Sequence, residues 1–177
     1  CNKIWNATRF ILMNLGDDFK PEKINPDKLE VFDKWILHTL NDTVKNVSEA
    51  LEQYRFNEAA NQIYEFWWGE FCDWYLELVK QRLYAKVNIS AESSYSAKQV
   101  LYFVLQKMLL LMHPFMPFIT EEIWQMLGER KDGESLMISL MPEGSGYDEK
   151  LLSEFEYAKE TISAVRSVRK SKEIPVR

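Results

Sequence analysis

Leu29, Phe32, Ile36, Leu40, Val44, Val47 and Leu51 recur at steps of three and four, which places them on one stripe of an α-helix and on no single face of a strand. Pro26 suits the first turn of such a helix, so the spacing predicts one long helix from about Pro26 to Gln53. A chain committed to a helix of that length buries its stripe against other helices or a sheet. Six glycines and six prolines in 177 residues are too few for the turns of a β-sandwich or the strand-to-helix corners of a doubly wound sheet. Ten Phe, eight Tyr and six Trp supply core bulk instead. The fold class expected is all-α, an antiparallel helical bundle.

The rest of the chain repeats the pattern. Ile4, Thr8, Ile11 and Leu15 form a stripe on a first helix, 2–15, closed by Gly16. A third helix, 57–83, is apolar on several sides and reads as the central element. A fourth, 96–112, breaks at His113-Pro114-Phe115-Met116-Pro117, and a fifth starts near Phe118 and closes at Gly128. Ser135–Leu140 could form an isolated strand, and a last helix, 148–170, turns Leu152, Phe155, Ile162 and Val165 inward. Trp74, Ile63, Leu105 and Phe118 are expected in or beside the core. Residues 1–147 read as the bundle, and 148–177 as a helix and strand-like tail, 173–177, that open a truncated further domain with a short α/β beginning.

Signals for chemistry are weak. Cys1, Cys72, His38 and His113 are too scattered for a metal site or disulfide framework, which suits a reducing cytoplasm, and no metal or catalytic residue is assigned. Gly128 and Gly133 have P-loop spacing, but Glu134 stands where the phosphate-binding lysine belongs. Gly144-Ser145-Gly146 has Glu149 where a dinucleotide fingerprint needs its third glycine. Asp17-Asp18 and Glu121-Glu122 are loop and first-turn acids, and His113 has no triad partner nearby. Val100–Ile119 carries Gln106, Lys107, His113 and two prolines, unlike a membrane span.

Charge is unevenly placed. The net charge is -5, yet residues 1–15 hold Lys3 and Arg9 and no acid, and residues 151–177 hold six basic residues against four acidic. On the first helix, Lys3, Asn6, Phe10 and Asn14 lie opposite the apolar stripe, adjoined by Asn2, Arg9 and Met13. Amides for base edges, cations for phosphates and a ring for stacking are what an unstacked RNA loop requires. The competing reading has Phe10 and Met13 packed against a neighbouring helix.

Three blocks sharpen this. Cys1-Asn2-Lys3-Ile4-Trp5-Asn6-Ala7-Thr8-Arg9-Phe10, Phe71-Cys72-Asp73-Trp74-Tyr75-Leu76-Glu77 and His113-Pro114-Phe115-Met116-Pro117-Phe118-Ile119-Thr120-Glu121-Glu122-Ile123-Trp124 together resemble, in the right order, the anticodon-binding region of valyl-tRNA synthetases. Leu140-Met141-Pro142-Glu143 departs from the pattern, where a Trp is expected before Pro-Glu. The resemblance implies a part of a class I synthetase that attaches valine to tRNA(Val) with ATP. The ATP-binding catalytic domain, with its His-Ile-Gly-His and Lys-Met-Ser-Lys-Ser signatures, and the editing domain would lie in the same polypeptide outside this segment. The segment would then need no cofactor and have no activity by itself. Its anticodon contacts would be Lys3, Asn6, Arg9 and Phe10, then Phe19 and Lys20 in the following loop, with Arg166 and Arg169 as secondary RNA contacts. The alternatives are the same domain of an isoleucyl or other class I relative, or a helical protein-interaction module.

Overall fold

The computed structural model describes residues 2–16, 18–84 and 90–173. Among them are six helices and no strand. They are α1 (Asn2–Leu15), α2 (Val31–Glu52), α3 (Phe56–Glu65, continued by Phe66–Tyr75 and Leu76–Leu83), α4 (Ala91–Met112), α5 (Pro117–Met126) and α6 (Glu149–Ser171). The middle of α3, Phe66–Tyr75, is π-helical. The all-α bundle is therefore as expected.

The packing is antiparallel. Only residues 53–55 join α2 to α3, which folds α3 back along α2. Lys98, near the start of α4, donates to the carbonyl of Leu15 at the end of α1 at 3.2 Å, while Ile4 and Met112 line one groove at the opposite end. Gly16 ends α1 at a φ of +78°, where a side chain would be strained. The stripes read from the sequence face the core: Ile4, Thr8, Ile11 and Leu15 on α1 are buried, as are Ile36, Leu40, Val44 and Val47 on α2. In α3 the rings of Phe66, Trp67, Phe71 and Tyr75 follow one another with centroids 5.0–6.4 Å apart.

Several boundaries differ from expectation. Pro26 does not start α2; Pro26–Lys28 is a separate 3-10 turn capped by Asn25, and α2 begins at Val31. Asp33 explains this, because its carboxylate accepts from the Glu30 amide at 3.1 Å and draws the cap four residues downstream of Pro26. Helix α4 begins at Ala91, five residues before the apolar periodicity, because Ser90 Oγ accepts from the Ser93 amide. Residues 135–140 form no strand; Leu136–Ile138 is a 3-10 turn, in which Glu121 accepts from Ser135 Oγ and the Leu136 amide, both at 2.9 Å. Glu173 adopts a φ of +52°, and the rest of the expected terminal strand, 174–177, lies outside the described residues.

Ile63 and Leu105 are buried and Trp74, half-buried, packs beside the core, but Phe118 is 90% exposed. Helix α5 turns Thr120 and Ile123 inward. Phe118 lies two steps of ~100° from Thr120, on the outer side. Likewise, α6 seats Leu152 and Phe155 against the core while Ile162 and Val165 remain exposed. His113 is buried, with Nδ1 2.8 Å from Thr120 Oγ1, a packed histidine bracing the α4–α5 corner.

A buried polar cluster, invisible in the sequence, ties three helices together. Arg82 of α3 donates from Nη1 to both carboxylate oxygens of Asp33 on α2, at 2.7 and 2.9 Å. It also donates to Ser93 Oγ and the Ser93 carbonyl at the start of α4. Tyr75 donates its hydroxyl to Asp33 at 2.7 Å. Burial, then the neighbouring Asp33 charge, pushes the Tyr75 phenol well above its ordinary value, so it stays a donor.

Glu121 supplies an acid-sensitive latch. Burial raises its pKa, but hydrogen bonds from Gln125, Ser135 and Leu136 outweigh this and hold it below the usual carboxylate range. A carboxylate with a depressed folded pKa stabilises the fold above its unfolded value of ~4.3 and loses that contribution as pH falls through the folded pKa. Glu121→Gln is therefore expected to destabilise at pH 7, with the difference from the parent starting to shrink below ~4.3 and vanishing only as pH falls through the depressed folded pKa. Urea unfolding of both proteins at several pH values checks this, and a constant difference across that range would contradict it.

Candidate nucleic-acid interface

Helix α1 carries no acidic residue, and its outer side presents Asn2, Trp5, Asn6, Arg9 and Met13 to solvent. This side exists because Ile4, Ala7, Thr8, Ile11 and Leu15 commit the opposite one to the core. Between α1 and α5 runs an open groove of about 350 Å³ lined by Trp5, Thr8, Arg9, Leu12, Met13 and Met126.

The residues expected to meet RNA divide by environment. Asn6 and Arg9 are exposed. Lys3 is half-buried; its ammonium lies 2.7 Å from Asp73 and 4.6 Å from the Trp68 ring, so its charge already ties α1 to α3. Phe10 is also half-buried, with Lys80 5.9 Å from its ring centroid. Phe19 packs against Tyr95 and Tyr102, at 6.3 and 5.5 Å between centroids. Lys20 is exposed, while its carbonyl accepts from Gln99 at 2.8 Å and from Tyr95. Loop and α4 are thereby joined by aromatic packing and amide hydrogen bonds.

On α6, Arg166 is exposed and lies 5.1 Å from the Trp74 ring, and Arg169 is half-buried. Asp73 holds Lys3 while Trp74, the next residue, carries Arg166. The two ends of the chain, both basic in sequence, thus flank the same stretch of α3.

Trp5 was missed by sequence reasoning. It is 40% exposed and one helical turn before Arg9, whereas Phe10, the ring expected to stack, is partly covered. The signal was available: positions i and i+4 share a face, so Trp5 belongs with Arg9. Buried Lys159 was missed too. It bridges Glu70 of α3 and Glu156, at 2.8 and 2.6 Å, and fastens α6 to the bundle. Burial works against its charge, but both carboxylates outweigh this and raise its pKa.

Burial pushes the Cys72 thiol up to about 12, far from a reactive thiolate. Among the described residues no group of His, Cys, Asp or Glu could hold a metal ion, and no helix is long and apolar enough to cross a membrane.

Residues 33–177 match the model of the anticodon-binding domain of tRNA ligase. The chain belongs to this family. The anticodon-binding domain here is also similar to parts of three valine–tRNA ligases. That of Fusobacterium nucleatum is 45% identical over 177 residues, covering 98% of the chain and 20% of the relative. That of Geobacter sulfurreducens is 46% identical over 174 residues, covering 95% and 19%. That of Thermotoga maritima is 46% identical over 176 residues, covering 98% and 19%. The anticodon-binding domain therefore spans about one fifth of the length of these curated relatives.

Proposed function

We propose that this domain grips the anticodon arm of tRNA(Val) within a cytoplasmic valine–tRNA ligase, whose catalytic domain supplies the ATP-dependent attachment of valine and whose editing domain lies in the same polypeptide. The observation that carries the reading is the outer side of α1: amides, a cation and an exposed indole without one carboxylate, in a chain of the anticodon-binding family. Arg9 meets phosphate, Asn6 offers both donor and acceptor to a base edge, and Trp5 provides the stacking plane. Lys20 extends the cationic surface along the loop. Lys3, Phe10 and Phe19 support that surface through Asp73, Lys80 and the Tyr95–Tyr102 pair. Arg166 and Arg169 form its far edge, on residues 148–177, which open a further domain. The domain itself performs no chemistry; it positions the distant acceptor end through geometry.

Arg9→Ala in the full-length ligase is expected to weaken tRNA(Val) binding and to reduce the slope of log affinity against log salt by about 0.7–0.9, the share of one phosphate contact. Trp5→Ala is expected to cost about 1–3 kcal/mol of binding, the worth of a base stacked on a ring. Valine activation without tRNA stays unchanged in both. Filter binding at two salt concentrations, beside a melting curve for each variant, checks this. Folded variants that bind as the parent does would remove α1 from the interface.

A further inference from the structure

All five threonines of the chain lie in helices. Thr39, Thr43, Thr120 and Thr161 each donate the side-chain hydroxyl to the carbonyl four residues back, at 2.9 Å, the usual outlet for a helical threonine. Thr8 is the exception. It is 2% exposed, and its Oγ1 is buried with no hydrogen-bond partner among the described residues, so the Ile4 carbonyl, four residues back, is passed over. A buried hydroxyl left unpaired costs stability that an arriving donor or acceptor would return. Thr8 lies in the floor of the groove between α1 and α5, one turn after Trp5 and next to Arg9, with Met13 and Met126 exposed at the rim. None of the lining residues is acidic, and Arg9 makes no ion pair among the described residues.

We infer that this groove takes one unstacked nucleobase of the tRNA anticodon loop and that Thr8 is the residue that reads the edge of that base. Each part of a nucleotide finds matching chemistry. The flat faces of the base meet Trp5 and the two methionines, a ring and polarizable thioethers that close on a planar group of any identity. The polar edge meets the Thr8 hydroxyl, which both donates and accepts. A turn about the Cα–Cβ bond, exchanging hydroxyl for methyl, lets it reach the base. The phosphate meets Arg9, on the α1 side, because Glu122 stands one turn before Met126 on α5. An apolar peptide side chain would fill the same walls, but it would leave Thr8 unpaired and Arg9 without an anion. Stacking by itself is indifferent to base identity, so discrimination falls to Thr8. The inference rests on reading α1 as an RNA surface, and it adds the pocket, the group that enters it and a specificity residue that carries no charge.

The test uses the full-length ligase with a tRNA(Val) transcript and with a set of transcripts, each lacking the base at one anticodon-loop position. Thr8→Val keeps the shape of the side chain and removes the hydroxyl. It is expected to melt no lower than the parent, because an unpaired polar group is gone, yet to bind tRNA(Val) about tenfold more weakly. Thr8→Ser, which keeps the hydroxyl, is expected to recover most of that loss. On one abasic transcript Thr8→Val and the parent are expected to bind alike, since the partner of the hydroxyl is already missing, while the other transcripts keep the gap. With p-benzoylphenylalanine placed at Met126, irradiation is expected to cross-link the ligase to a nucleotide of the anticodon loop. A folded Thr8→Val that binds as the parent does would overturn the inference, as would a gap that persists on every abasic transcript. A Thr8→Val that melts well below the parent would also overturn it, by showing that the hydroxyl serves the fold. So would a cross-link from position 126 to protein, or to tRNA outside the anticodon loop. If binding then remains sensitive to salt and to Arg9→Ala, the reading of α1 as an RNA surface stands; if Arg9→Ala is without effect as well, both readings fall.

Discussion

Arg82→Met is expected to lower the unfolding free energy by about 3–5 kcal/mol, the usual cost of removing one partner of a buried ion pair. The side chain is of similar length, so little packing is lost and the penalty falls on what stays behind. Asp33 is 0% exposed, and without Arg82 its charge is held only by the Tyr75 hydroxyl and the Glu30 amide. Two neutral donors do not compensate a carboxylate removed from water. Ser93 also loses the donors that fasten the start of α4 to α3. Urea unfolding measures the loss, and a change under about 1 kcal/mol would mean that water reaches Asp33. Asp33→Leu combined with Arg82→Met is expected to recover only part of the stability, because it removes the stranded charge but leaves the buried Tyr75 hydroxyl and the Glu30 amide without their acceptor.

Trp35→Ala is expected to cost about 3–5 kcal/mol, as for other large aromatics cut from a core, and to loosen α6 selectively. Trp35 on α2 is 2% exposed and stacks on Phe155 of α6 with centroids 4.2 Å apart and planes 15° from parallel. Phe32 meets the same ring edge-on at 5.7 Å, and the Lys159 ammonium lies 5.6 Å from the Trp35 ring. Truncation therefore removes the platform on which α6 is seated and leaves the Lys159 salt bridges to hold it. Hydrogen exchange should accelerate across 149–171 more than across α1 or α4. Uniform acceleration would show that α6 unfolds only with the whole domain.

The helices themselves were legible because an angular repeat belongs to each helix alone. The stripes on α1 and α2 are buried as their spacing required, and the carboxylate-free outer side of α1 follows from the same arithmetic. The family was legible through blocks of residues around Trp5, Trp74 and Trp124 that keep their order along the chain. The exposed side of α5 was misread at Phe118 because hydrophobicity was taken for burial. Thr120 and Ile123, both fully buried, mark the inner side, and one of the two is polar.

Sequence by itself determined the fold class, the approximate helices, the basic ends and the kinship, all properties of local spacing and composition. Tertiary structure alone decided that Asp33 caps α2 while holding Arg82, 49 positions away, and that Asp73 engages Lys3 across 70. It also decided that Trp5 and not Phe10 stands open beside Arg9. A residue's period states which way it faces on its own helix. Which helix meets that face, and which charge it finds there, is set by packing between segments distant in the chain, and no local pattern records that.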